Sequence, residues 1–110
     1  PKRAPFEAEM RDVIARRLPD PDFDANALAD AMAVSRSTLY RRARNADAPS
    51  PAKLIRTMRL ERGAELLSED AGTVSEVAYA VGFNSLSHFS RQFADHFDRA
   101  PTDYAADAGG

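Results

Sequence analysis

The sequence predicts an all-α fold, two helix-turn-helix subdomains joined by a long linker helix. Three observations predict it. No window shows the apolar–polar alternation of a half-buried strand. Apolar residues instead recur at helical spacing in most segments between residues 6 and 97. One pattern also occurs twice: LADAMAVSRSTLYRR at 28–42 and VAYAVGFNSLSHFSRQ at 77–92. Each copy is a short helix rich in small residues, a tight turn, a serine and a second helix.

Residues 1–19 form an N-terminal helical segment in which Phe6, Met10, Val13, Ile14 and Leu18 share one stripe. Pro19 and Pro21 stop it. Asp24 is placed to cap the next helix, whose inward face is Leu28, Ala29 and Met32. Ser35 caps SRSTLYRRARN and completes a first helix-turn-helix over 24–46. After the loop ADAP, Ser50-Pro51 pairs a capping residue with a proline at the first helical position. The linker helix follows over 51–68, with Leu54, Ile55, Met58, Leu60, Leu66 and Leu67 apolar, and Gly72 is expected to close its end. Thr73 and Glu76 have the spacing of a capping box, opening a second helix-turn-helix over 73–97. Gly82 suits the sharp turn between its helices, because a left-handed backbone costs other residues about 1 kcal/mol. Phe83 plugs the angle, and Ser85 starts LSHFSRQFADHF. Residues 98–110 read as a C-terminal turn and tail, with a short last turn near Pro101 and Tyr104 packing back.

A chain of 110 residues has room for one compact domain or two very small ones. At 44% hydrophobic and 29% charged it can bury a core and is not a disordered tail. It lacks cysteine, which removes disulfides and thiolate metal sites and fits a reducing compartment. No apolar run approaches the roughly 18 residues of a membrane span, and no signal peptide is visible. The chain starts at Pro1, and it reads as a piece of a longer protein. Net charge is -2, which by itself argues against a nucleic-acid partner. The distribution argues the other way. Residues 35–62 carry Arg36, Arg41, Arg42, Arg44, Lys53, Arg56, Arg59 and Arg62 against Asp47 and Glu61, a local charge of +6. The plainer reading of such a block is a solvated helix face.

Helical geometry separates inward from outward residues. Leu39 and Ala43 share one face, and Phe89, Phe93 and Phe97 share its equivalent. At about 100° per residue, Arg41 lies about 200° from Leu39, and Arg91 stands likewise to Phe89. Ser37 and Ser87 join the arginines, with Tyr40 and Ser90 on the flank. Arginine forks onto guanine O6 and N7, and small polar neighbours allow close approach to base edges. A helix so equipped enters the major groove while the first helix crosses the backbone, so the implied partner is double-stranded DNA. Ser35 and Ser85, at helix N-termini, are placed to hold phosphates, and Arg44 and His88 join that set. Lys53, Arg56 and Arg59 either touch the backbone or solubilise the linker helix. His88 and His96 are eight residues apart with no cysteine, so no metal site is expected. No nucleophile has a matching base and no glycine-rich phosphate loop is present, so neither a catalytic site nor a cofactor is expected, and the chain is not read as an enzyme. The rival reading is a helical protein-interaction module of the same fold that does not read DNA by itself.

MAVSRSTLYRR, the Ser-Pro at 50–51, RLERGAELL at 59–67, VSEVAYAVGFNSLSHFSRQF at 74–93 and APTDY at 100–104 resemble the DNA-binding domain of the AraC/XylS family of bacterial transcription regulators. The resemblance covers about residues 24–104. It implies two homeodomain-like three-helix units on one face of DNA. Their readers, about 34 Å apart, enter successive major grooves. It points to Arg36, Ser37, Tyr40 and Arg41 as base readers in the first unit, and to Leu86, Ser87, Ser90 and Arg91 in the second. Leu86 meets a thymine methyl or flanks the core. The wording also resembles output domains of hybrid two-component regulators. RNA polymerase, sensor or receiver domains of the full-length chain, and a second copy of that chain are the implied partners. The implied location is the cytoplasm, or the cytoplasmic part of a membrane-bound hybrid sensor. Four residues depart from the family pattern. Ala43 stands for a usual Phe, Ala33 and Ala48 for usual Gly, and Ala100 for a usual Ser. Gly63 inside the linker helix costs up to about 1 kcal/mol relative to Ala. The first subdomain is therefore expected to be the less tightly packed of the two, and the acidic surface to weaken non-specific binding.

Overall fold

The computed structural model of the chain describes residues 4–109, with side chains from 5 to 105. The outermost residues of the expected terminal segments, 1–3 and 110, lie outside the described residues. The described residues form seven helices and no strand: α1 (Ala4–Arg17), α2 (Ala25–Ala31), α3 (Arg36–Asn45), α4 (Pro51–Ser68), α5 (Val74–Ala80), α6 (Leu86–Phe97) and α7 (Pro101–Gly109). The chain divides into two compact units, residues 1–18 with 22–58, and residues 19–21 with 59–110.

In the first unit α1 packs on both α2 and α3. Met10 and Ile14 of α1 are wholly buried, as are Leu28 of α2 and Leu39 of α3. Leu18, Phe23, Leu54 and Ile55 complete this largely aliphatic core. Phe23 is its one large aromatic side chain, and the Arg17 guanidinium lies 5.0 Å from its ring centroid. Ala43 is buried too, and with Leu39 it forms the inward face of α3.

In the second unit the core is aromatic. Phe89 and Phe93 are wholly buried and Phe83 nearly so. Phe83, Phe89, Phe93 and Phe97 form a chain of ring contacts with centroids 5.1, 5.5 and 4.5 Å apart. Tyr104 of α7 packs back on Phe93 and Phe97, at 5.6 and 5.8 Å. These edge-on and tilted geometries suit the ring quadrupoles.

Helix starts follow local capping chemistry. Asp24 Oδ1 accepts from the Ala27 amide at 2.9 Å, and Ser35 Oγ from the Thr38 amide at 3.1 Å. Ser50 and Ser85 do the same for Lys53 and His88. Thr73 and Glu76 close a reciprocal capping box.

Helix ends share a different device. The Val34 amide donates to the Ala29 carbonyl and the Ala33 amide to Asp30, the paired bonds of a Schellman motif. Phe83 and Gly82 repeat it onto Ala78 and Tyr79. Both turns therefore need a positive φ at one position, 94° at Gly82 and 60° at Ala33. The first copy pays that strain with a Cβ in place.

Three expectations need correction. The linker helix is closed by Asp70, at φ 54°, and not by Gly72, because the Ala71 amide reaches back to Leu66. Gly72, at φ 150°, makes room for the capping box instead: a Cβ there would meet Glu76 Cβ and Oε1 at 3.3 Å. The segment after Pro101 is a nine-residue helix and not a short turn; proline at the first position, Asp103 in the first turn and the three alanines after Tyr104 favour it. Gly63 also has a packing reason. A Cβ there would come within 3.1 Å of the Phe89 ring, so the glycine lets α4 approach α6.

Candidate nucleic-acid interface

The two second helices, α3 and α6, present comparable outer faces. Ser37 and Arg41 are exposed on α3, and Ser87 and Arg91 on α6. Tyr40 and Ser90 are half-buried on the flanks. Leu39 and Phe89, both wholly buried, fix the rotation of each helix about its axis. A buried residue at that point turns the residue two further on, an arginine in both copies, toward solvent.

Details differ between the copies. In the first, Arg36 is held in place. Its guanidinium lies 4.8 Å from the Tyr40 ring centroid, donates to Tyr40 Oη at 3.4 Å and donates to Asn26 Oδ1 of α2 at 3.1 Å. Ser35 Oγ accepts from the Thr38 amide and donates to Thr38 Oγ1 at 2.9 Å, so that hydroxyl is engaged in opening the helix. In the second, Leu86 is exposed at the helix start. His88 packs edge-on to Phe83 at 5.6 Å, and one ring nitrogen lies 2.9 Å from Gln92 Nε2. Ser85 Oγ caps the His88 amide.

The basic block of the sequence is divided. Arg36, Arg41, Arg42, Arg44, Lys53 and Arg56 fall in the first unit and Arg59 and Arg62 in the second. The first six are solvent-exposed, and Arg44, Lys53 and Arg56 lie on the surface of α3 and the start of α4. The last two are engaged elsewhere. Arg59 is half-buried and donates to the Asp20 carbonyl at 2.8 Å. Burial pushes its guanidinium pKa down, and the Asp20 carboxylate opposes that shift; the group stays charged. Arg62 pairs with Glu65 at 3.1 Å. Position along the sequence thus concealed that one cation of the block is turned into the protein and another is paired on the helix surface.

Charge separates the units more sharply than the sequence suggested. The first holds eleven Lys and Arg against seven Asp and Glu, a net of +4. The second holds four against ten, a net of -6. An overall charge of -2 hides a difference of ten between them.

Comparison with known proteins agrees with this architecture. Residues 28–107 match a family model described as a helix-turn-helix domain. Over 91 residues the chain is 32% identical to the HTH-type transcriptional regulator MtrA of Neisseria gonorrhoeae, covering 83% of this chain and 30% of that protein. Over 92 residues it is 30% identical to Histidine kinase P4 of Formosa agariphila, covering 84% of this chain and 7% of that protein. The chain thus spans less than a third of the length of these relatives. Among solved structures, a DNA-binding transcriptional dual regulator from Escherichia coli K-12 superposes with a TM-score of 0.86 at 21% identity, covering 94% of this chain and 92% of that one. A Chromobacterium violaceum transcriptional regulator with an AraC-type DNA-binding domain superposes at 0.84 and 25% identity, over 94% and 92%. With two helix-turn-helix units in this order and most of its length matched, the chain belongs to the AraC-type helix-turn-helix family.

Proposed function

We propose that the chain is a sequence-specific double-stranded DNA-binding domain of a transcription regulator, using α3 and α6 as two readers in successive major grooves. The observation that carries this is the pair Arg41 and Arg91. Each is an exposed arginine two residues past the buried anchor of a second helix, in both copies of the motif. Arg36, Ser37, Tyr40 and Arg41 read bases in the first unit, and Leu86, Ser87, Ser90 and Arg91 in the second. Ser35, Arg44, Lys53, Arg56, Ser85 and His88 contact phosphates. No catalytic role, cofactor or metal is assigned.

The chain acts as the output domain of a longer, two-component type protein with sensor or receiver domains, a reading supported by its similarity to Histidine kinase P4. In that protein it works in the cytoplasm, pairs with a second copy and meets RNA polymerase. No described helix is long and apolar enough to cross a membrane.

Selection of bound sequences from a random duplex library, at about 150 mM salt, tests the reading. Two blocks of preferred bases about one helical turn apart are expected. Arg41→Ala and Arg91→Ala should each weaken binding by about 1–3 kcal/mol and relax preference at separate base pairs. Equal weakening on every sequence would remove the base-reading assignment. No enrichment would favour the protein-interaction module, to which the -6 charge of the second unit is better suited.

A further inference from the structure

The outer face of α6 carries an acid. Asp95 is exposed, one turn beyond Arg91 and about 40° from it around the helix. Among the described residues neither side chain makes a hydrogen bond or ion pair. The counterpart of Asp95 in α3, at the same offset that relates Arg91 to Arg41, is Asn45, and the counterpart of Ala94 is Arg44. The first reader therefore presents two arginines and a neutral amide where the second presents one arginine, an alanine and a carboxylate.

We propose that Asp95 is a specificity-determining residue of the second reader, which accepts a hydrogen bond from a cytosine amino group. The inference rests on the DNA-reading function above. An ionised carboxylate only accepts hydrogen bonds. The major-groove edge offers mostly acceptors: guanine N7 and O6, adenine N7 and thymine O4. Only two amino groups donate, cytosine N4 and adenine N6, and the adenine group lies beside the N7 acceptor, which repels an anion. Cytosine is the base edge an exposed aspartate tolerates best. The same carboxylate repels phosphates, so the second unit holds DNA poorly wherever that amino group is missing. Arg91 and Asp95 together form a donor and an acceptor about 6 Å apart along the helix, matched to a guanine and a cytosine at neighbouring base pairs.

Selection from the random duplex library, run on wild type and three variants, tests this. Asp95→Ala should reduce a cytosine preference in the second block about tenfold and leave the first block unchanged. Asp95→Asn should move that preference toward adenine, whose N6 and N7 an amide fits, and tighten binding to random duplex about threefold. Asn45→Asp should add a cytosine preference to the first block and weaken binding to random duplex. A second block unaltered in both Asp95 variants overturns the proposal while the reading of DNA stands. Absence of a second block in wild type overturns the proposal together with the two-reader arrangement, and absence of both blocks overturns the reading of DNA as well.

Discussion

The two units share a motif and differ in almost everything that surrounds it. The first is aliphatic, positively charged and closed by an extra helix, α1, outside the matched family residues. The second is aromatic and negative, and closes on itself through α7 and Tyr104. What they keep in common is narrow: a buried residue that orients the outer helix, a serine cap, a Schellman turn and an outward arginine. Those four features set the direction in which the outer helix presents its arginine. The core filling and net charge are free to diverge, and here they diverge toward different tasks. On the proposed function, the cationic first unit would supply more of the attraction to any duplex, and the anionic second unit would depend more on matched bases.

The largest test of this contrast is in the cores. Phe89→Ala should destabilise by about 3–5 kcal/mol, more than Leu39→Ala at the equivalent position, because two neighbouring rings, Phe83 and Phe93, lose their packing partner. Urea unfolding followed by circular dichroism measures both; equal losses would mean that the aromatic chain adds nothing beyond area. Next comes the charge division. Replacing Arg44 and Lys53 by Gln should lower the salt slope of duplex binding by about 2 and weaken it uniformly across sequences. Glu69→Gln in the second unit should leave the slope as it was. Smaller again is Gly63→Ala. Helix propensity favours alanine by about 1 kcal/mol, yet the Phe89 ring is held on both sides by Phe83 and Phe93 and has little room to yield. A net loss of about 1 kcal/mol in thermal unfolding is expected, and a gain would show that the ring moves freely. The turns give effects of the same size or smaller. Ala33→Gly should stabilise by about 0.5 kcal/mol, since relief of the left-handed strain is partly offset by unfolded-chain entropy. Gly82→Ala should cost about 1 kcal/mol.

What could be read from the sequence was what local chemistry decides. Asp24, Ser35, Ser85 and the Thr73–Glu76 pair announce helix starts because a cap needs only a side-chain oxygen and an amide three residues on. Helix ends were harder. The Schellman geometry places its positive φ on whatever residue stands there, so Asp70 closes α4 while the more conspicuous Gly72 serves the next cap. Gly63 looked like a flaw until the position of Phe89 explained it, a contact twenty-six residues away in sequence. The outward arginines were readable because one buried residue per helix sets the phase. Which cations of the basic block remain available was not, because Arg59 is turned inward by a carbonyl far along the chain.

That carbonyl belongs to Asp20, in the three-residue Pro19–Pro21 segment that clusters with the second unit although the chain on either side of it belongs to the first. The units are consequently not severable by a single cut. A fragment beginning at Arg59 would leave its half-buried guanidinium without the Asp20 carbonyl, and a fragment ending at Met58 would keep that carbonyl without its donor. Any exchange of one reader for another, whether by recombination or by design, must transplant this detached piece as well, or accept a weakened second half.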